Sequence, residues 1–305
     1  MSNSGNQPKA VRREHAREQA RLMREKEQKR SRRNKWIVQG LVVVSVLVIG
    51  ALIAAFFING NKSFIATGPL NMASDGILLE GNGTDITAVT TGSVKAGDEP
   101  VATDQTALAD TVNIVMYVDY QCPYCQTFEA TNTEQISEWV SSGAATLEIH
   151  PIAFLDGASL GTKYSTRAAN AAACVANYQP DSYFAVNTAL FENQPAEQTA
   201  GLSDNEIKGI LSDAGVDNDD VNTCISDGEF KPWTKVATTR VTGGEIPNSD
   251  QPEFQGTPMV VVNGTLYTGA IDDATAFGDF VNAIGAALEA SQSTSTPTPT
   301  PSNAG

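Results

Sequence analysis

Two cysteines three positions apart, Cys122 and Cys125, enclose Pro123 and Tyr124. A dithiol at this spacing can exchange disulfides: one sulfur attacks as a thiolate, and the second resolves the mixed disulfide. The apolar run Ile114-Val115-Met116-Tyr117-Val118 precedes the pair, and a helix-like stretch follows it. Cys122 therefore falls at a strand-to-helix junction, where unpaired backbone N–H groups and the positive helix end favour a thiolate. Pro123 suits the first helical position, where its missing N–H is not needed. Cys125 lies one turn on, within reach for a disulfide. Cys122 reads as the nucleophile and Cys125 as the resolving thiol.

Other readings of the same pair exist. Half a zinc site needs two further close ligands, and only the separate Cys174, Cys224 and His150 offer them outside the basic tail. No metal is expected on that supply. A purely structural disulfide and two unrelated free thiols are the remaining alternatives. Asp119, three residues before Cys122, and Glu129, one turn after Cys125, are candidates for proton transfer during exchange. Asp119 reads equally well as an aspartate on the open side of a strand end. Cys174 and Cys224, 50 positions apart, are left over, and in an oxidising compartment such a pair forms a structural disulfide. A second redox relay or two buried thiols are the alternatives.

The elements that must hold these residues alternate. Residues 112–120 read as a nearly continuous apolar strand, suited to a sheet covered on both faces. Residues 122–140 read as a helix, with Gly143 as its stop, and 145–154 as a second strand. Residues 163 to about 232 are mainly helical. Within them Ser203-Asp204-Asn205-Glu206 is a capping-box signature, and Gly215 ends that segment. Residues 259–262 and 265–267 flank Asn263-Gly264, a hairpin signal. A last helix, about 273–289, has Phe277, Phe280, Val281, Ile284 and Leu288 on one face. Residues 75–79 begin a weak edge strand, and 91–109 are loop-like.

Charge is divided unevenly. Residues 1–35 hold 12 of the 20 Lys+Arg and 4 of the 35 Asp+Glu, a net of +8, whereas the remainder nets −23. Between them residues 37–58 run 22 positions without a charge. At 1.5 Å per residue that is roughly 33 Å, enough to cross a bilayer. The run is longer than a signal-peptide core and no clean cleavage site follows it. It reads as a retained anchor, with the basic flank cytoplasmic and the acidic part outside. The division predicts a basic cytoplasmic tail (1–35), a transmembrane helix (36–58), a linker (59–74), a catalytic domain (75–290) and a disordered Thr/Pro-rich tail (291–305). The lipid bilayer is a partner. Nucleic acid is not, because the outer part has no basic patch. All four cysteines lie beyond the span, which fits an oxidising compartment.

Val118-Asp119-Tyr120-Gln121-Cys122-Pro123-Tyr124-Cys125 resembles the active-site segment of membrane-anchored DsbA-like thiol–disulfide oxidoreductases of the thioredoxin superfamily, of Gram-positive and especially actinobacterial type. Gly256-Thr257-Pro258, followed by a strand and Asn263-Gly264, resembles that family's cis-proline loop. The resemblance spans residues 75–290. It implies an α/β thioredoxin fold with a helical insertion at about 160–240, preceded by one transmembrane helix. It also implies a cis Thr257–Pro258 bond beside Cys122, with the Thr257 backbone open to an extended substrate segment. Well-known members carry His where Tyr124 stands, so a weaker oxidant is expected. Cys-Pro-Tyr-Cys also occurs in glutaredoxins, which lack such an insertion and anchor.

The expected function is an extracytoplasmic oxidase that introduces disulfides into reduced, unfolded exported proteins. The resemblance implies recharging by a membrane partner of DsbB or vitamin K epoxide reductase type. Exchange itself calls for no cofactor. A reductase or isomerase on the same scaffold is the alternative. A non-enzymatic surface domain, in which the disulfide only holds shape, is a third.

Overall fold

The computed structural model describes residues 66–295. The expected basic tail, membrane span and first part of the linker lie outside the described residues, as does the end of the Thr/Pro-rich tail. Among the described residues no helix is long and apolar enough to cross a membrane.

Six strands form one sheet in the order β2-β1-β4-β3-β5-β6: β1 Ile77–Gly81, β2 Ile86–Ala88, β3 Val112–Val118, β4 Ala145–Pro151, β5 Met259–Val262 and β6 Thr265–Leu266. β3 is central, parallel to β4 and antiparallel to β5. Its side chains alternate between two apolar layers, as a pleated strand requires. Ile114, Met116 and Val118 join the main core, and Tyr117 joins a smaller one with Ile152, Met259 and Val261.

The crossover from β3 to β4 is helix α1, Pro123–Ser141. It buries Phe128, Ile136 and Val140 against the sheet and against the last helix, α7, Ala274–Ser295. Phe277 of α7 is fully buried and meets Phe128 edge-on at 5.0 Å and Tyr267 at 5.1 Å. Between β4 and β5 lies the helical insertion: α2 Tyr164–Tyr178, α3 Tyr183–Glu192, α4 Asp204–Asp213, α5 Asp219–Asp227 and α6 Lys231–Gly243. α2 is its axis. Ala168, Ala169, Ala171, Ala172, Ala173 and Ala176 are all fully buried, and such small side chains let neighbouring helices approach closely. Ser203 and Glu206 make the reciprocal bonds of a capping box at the start of α4. Asn263 and Gly264 both have positive φ, the two-residue turn that matches strand twist.

Several boundaries differ from the sequence reading. β1 is not an edge strand: β2, which the pattern does not reveal, pairs on its outer side and β4 on the other. Residues 66–74 are not linker. Gly68 N–H donates to the Val94 carbonyl at 2.8 Å, Met72 is fully buried, and a Cβ on Gly68 would lie 2.8 Å from the Trp233 indole nitrogen. Asp75 accepts from Arg240 Nε at 2.6 Å, Arg240 Nη2 at 2.7 Å and Trp233 Nε1 at 2.9 Å, pinning this segment to α6. β3 ends at Val118 and β4 at Pro151, both shorter than expected. Pro232 stands in the first turn of α6, so it opens a helix near where the sequence reading ends the helical run. α7 continues to Ser295, so residues 291–295 are helical rather than part of the tail.

Candidate active site

The site forms where β3 gives way to α1. Cys122 is the N-cap residue of α1, in extended conformation, with Pro123 beginning the helix. Its N–H donates to the Asp119 carbonyl at 2.9 Å, which closes a tight turn after the strand. Cys125 faces inward from the first turn and has no exposed surface. Both are free thiols. Cys122 keeps only 3% of its surface exposed, a more covered sulfur than an open helix end would give. Tyr124 between them is 67% exposed and turned to solvent.

Across from Cys122 lies the loop before β5. The Thr257–Pro258 peptide is cis. The Cys122 thiol donates to the Thr257 carbonyl at 3.2 Å, which joins residues 135 positions apart. Pro258 is half-buried and precedes the fully paired β5.

The two sulfurs are driven apart in acidity. Cys122 is brought down from 9.0 to about 7, first by the hydrogen bond from the Cys125 thiol. Burial opposes this, while the Thr257 side chain and the Cys125 backbone N–H add to it. Cys125 is pushed well above 9.0, chiefly by burial and by its bond to Cys122. One sulfur is thus an accessible-pH thiolate and the other a retained thiol, the asymmetry that exchange requires.

Asp119 is fully buried just past the end of β3. Burial raises its carboxyl from 3.8 to about 6, against the pull of its hydrogen bonds. Its Oδ1 accepts from Gln121 N–H at 2.8 Å and its Oδ2 from Leu155 N–H at 2.7 Å. It therefore ties the redox turn to the segment after β4 and does not sit on an open strand end. Glu129 lies in a buried polar network between α1 and α3. Its oxygens accept from Asn187 Nδ2 at 2.9 Å and Thr133 Oγ1 at 2.8 Å, and Asn187 in turn accepts from Tyr120 at 3.1 Å. Burial raises the Glu129 carboxyl as well. No hydrogen bond joins Glu129 to either sulfur. Cys174 on α2 and Cys224 on α5 form a disulfide with Cα atoms 5.8 Å apart, buried inside the insertion.

The structure thus brings Cys122, Cys125, Asp119, Thr257 and Pro258 together. It leaves Glu129 in a neighbouring network and the Cys174–Cys224 bridge apart. Sequence reasoning missed Gln194, whose side chain reaches the Cys122 carbonyl at 3.0 Å from 72 positions away. A glutamine in a polar loop carries no pattern that could have singled it out.

The thioredoxin family model matches residues 107–284, more than half of the chain. The chain belongs to this family. It is a thiol–disulfide oxidoreductase, and its C-x-x-C pair is the active site. No curated protein sequence matches it significantly. Solved structures of similar fold include the reduced disulfide bond oxidoreductase DsbG of Mycobacterium tuberculosis. That protein is 24% identical, with a TM-score of 0.53 over 74% of this chain and 96% of that one. The reduced DsbA of the same organism is 23% identical, with a TM-score of 0.51 over 73% of this chain and all of that one. These likenesses carry the fold: a thioredoxin core with helices inserted between β4 and β5, the DsbA arrangement.

Proposed function

We propose that this thioredoxin-family enzyme is an extracytoplasmic oxidase. The oxidised Cys122–Cys125 pair accepts two electrons from a reduced cysteine pair of an exported protein. A substrate thiolate attacks Sγ of Cys122, and the Cys122–Cys125 bond breaks as the mixed disulfide forms. The substrate's second thiolate then attacks its own bridged sulfur. Cys122 leaves as a thiolate, Cys125 takes the proton, and the substrate departs with a new disulfide. The observation that carries this reading is Cys122 at the helix N-terminus with its sulfur 3.2 Å from the Thr257 carbonyl. With the leaving sulfur beside this half-buried loop, an extended substrate segment can pair on the Thr257 backbone.

The direction is supported by compartment. A buried Cys174–Cys224 bridge in the same domain suits an oxidising surrounding. The uncharged run 37–58 after a basic flank supports tethering with the domain outside and the N-terminus in the cytoplasm. Recharging of the dithiol then falls to a membrane oxidase of DsbB or vitamin K epoxide reductase type.

One observation keeps the reductase or isomerase reading alive. With Cys122 at about 7, about half of it is thiolate at neutral pH, against roughly 1% for an unshifted thiol. That favours the dithiol form only about twofold at pH 7, a mild oxidising drive. Measuring the reduction potential against glutathione, with refolding of reduced ribonuclease as the activity, separates the two. A potential above roughly −200 mV with net disulfide formation supports the oxidase. A potential near that of thioredoxin, with insulin reduction and no oxidation, overturns it.

A further inference from the structure

Three glutamines tie the redox turn to the region of the helical insertion. Gln126 donates from Nε2 to the Phe191 carbonyl at 2.9 Å, and Gln121 to the Ala158 carbonyl at 3.4 Å. Gln194 runs the other way, from just past α3 back to the Cys122 carbonyl at 3.0 Å. Its own N–H is held by the Phe191 carbonyl at 3.2 Å. Gln126 and Gln194 thus close a clasp between the start of α1 and the end of α3. Of these three hydrogen bonds, that of Gln194 is the one made to a redox cysteine.

The atom it touches is unusual. The Cys122 carbonyl belongs to the peptide joining Cys122 to Pro123, which has no N–H. Its negative oxygen belongs to the same residue as the sulfur, with no N–H pole in the same peptide unit to offset it. It accepts the Gln126 backbone N–H at 3.1 Å, the first bond of the helix. Gln194 supplies a second donor, which draws down the negative potential close to the sulfur. It also holds the Cys122–Pro123 peptide plane, in the residue whose Sγ donates to the Thr257 carbonyl. The other titratable groups that act on Cys122 are Cys125 on α1 and Asp119 in the turn before it. Both belong to the β3–α1 unit; Asp119 meets Ser165 of α2, and Gln194 is the insertion's hydrogen bond to the backbone of Cys122 itself.

We propose that Gln194 is a positioning residue for disulfide exchange, through which the helical insertion sets the orientation and thiolate character of Cys122. This rests on Cys122 being the exchanging sulfur.

The test uses the full chain in its reduced form. The rate of Cys122 carboxymethylation is followed against pH for the wild type, Gln194→Ala, Gln194→Glu and Gln194→Lys, with thermal unfolding measured in parallel. Losing one hydrogen bond to the carbonyl slows alkylation at pH 7 by about two- to fivefold in Gln194→Ala and moves the midpoint upward. Gln194→Glu, which replaces a donor by a negative acceptor, shifts it further. Gln194→Lys restores a donor and returns the rate to the wild-type level or above. A midpoint that stays constant across all three, whatever happens to the melting temperature, overturns the inference, since a merely structural role moves only the latter. A wild-type Cys122 that does not alkylate ahead of Cys125 is a different failure. It removes the assignment of Cys122 itself, and this inference falls with it.

Discussion

Cys122 and Cys125 have the same side chain, yet the fold gives them opposite acidities. The cause is position: one caps a helix and receives a hydrogen bond, while the other is sealed behind it. The folded value of Cys122 lies below its ordinary one, so the stabilisation of its thiolate is complete above about pH 9 and is lost as pH falls through about 7. Alkylation of the reduced enzyme should therefore fall about tenfold per pH unit below 7 and level off above it, as iodoacetamide kinetics can record. Replacing the resolving thiol in Cys125→Ser should trap a mixed disulfide when the Cys122 thiolate attacks a peptide disulfide and releases one of its thiols, visible by mass as a lasting adduct at Cys122. Asp119 has the opposite sign. Its carboxyl is raised from 3.8 to about 6, so the native state holds a proton there that the unfolded chain has released. Between those values stability falls as pH rises. Denaturant unfolding from pH 4 to 6 should show that decline in the wild type and a flatter profile in Asp119→Asn.

At the scale of elements, three devices hold the site's surroundings. The Cys174–Cys224 bridge joins α2 to α5 across 50 positions. Closing a loop of that size stabilises by about 4 kcal/mol in the chain-entropy model. The Cys174→Ala/Cys224→Ala double variant should therefore melt roughly 10 °C lower while its C-x-x-C pair still alkylates. The Asp75 carboxylate takes Arg240 and Trp233 together, which fastens the segment before β1 onto α6. Removing it in Asp75→Ala leaves a half-buried guanidinium without its partner and should cost about 3 kcal/mol in denaturant unfolding. Phe277, the hub between α1, α7 and Tyr267, loses its ring contacts in Phe277→Ala, at about 3–5 kcal/mol. That packing supports α1 from behind, so the same change should broaden the pH profile of Cys122 alkylation.

At the scale of the whole molecule, the issue is where the dithiol works and where its electrons go. The described domain is acidic and carries its redox pair beside an exposed tyrosine. The proposed tether makes a direct expectation. The full chain should fractionate with membranes and be digested by protease added from outside. A variant lacking residues 1–58 should be released as a free domain with an unchanged reduction potential, because the described partners of Cys122, Thr257 and Gln194 among them, lie in the retained part. Release with a changed potential would instead mean that the tether region takes part in the chemistry.

The reactive pair, its place at a strand-to-helix junction and the helical character of the insertion were legible because each has a local signature. Cys122 and Pro123 are adjacent, the capping box spans four residues, and Asn263-Gly264 makes its own turn. The N-terminal limit of the domain was not legible. Residues 66–74 look like linker, and only the Trp233 indole across the fold shows that Gly68 must be packed. The helical run was read as ending at about residue 232, yet Pro232 stands in the first turn of α6, because proline interrupts a helix from within but begins one comfortably. Asp119 reads equally as a proton-transfer group and as an aspartate on an open strand end until Leu155 N–H closes on it. By itself the sequence determined which chemistry the chain can perform, because thiols, prolines and periodic apolar residues act through neighbours along the backbone. Only tertiary structure decided how deeply the Cys122 sulfur is covered and which distant groups meet that residue. The Gln194 side chain and the Thr257 carbonyl come to Cys122 from 72 and 135 positions away, and no local pattern encodes contacts at that range.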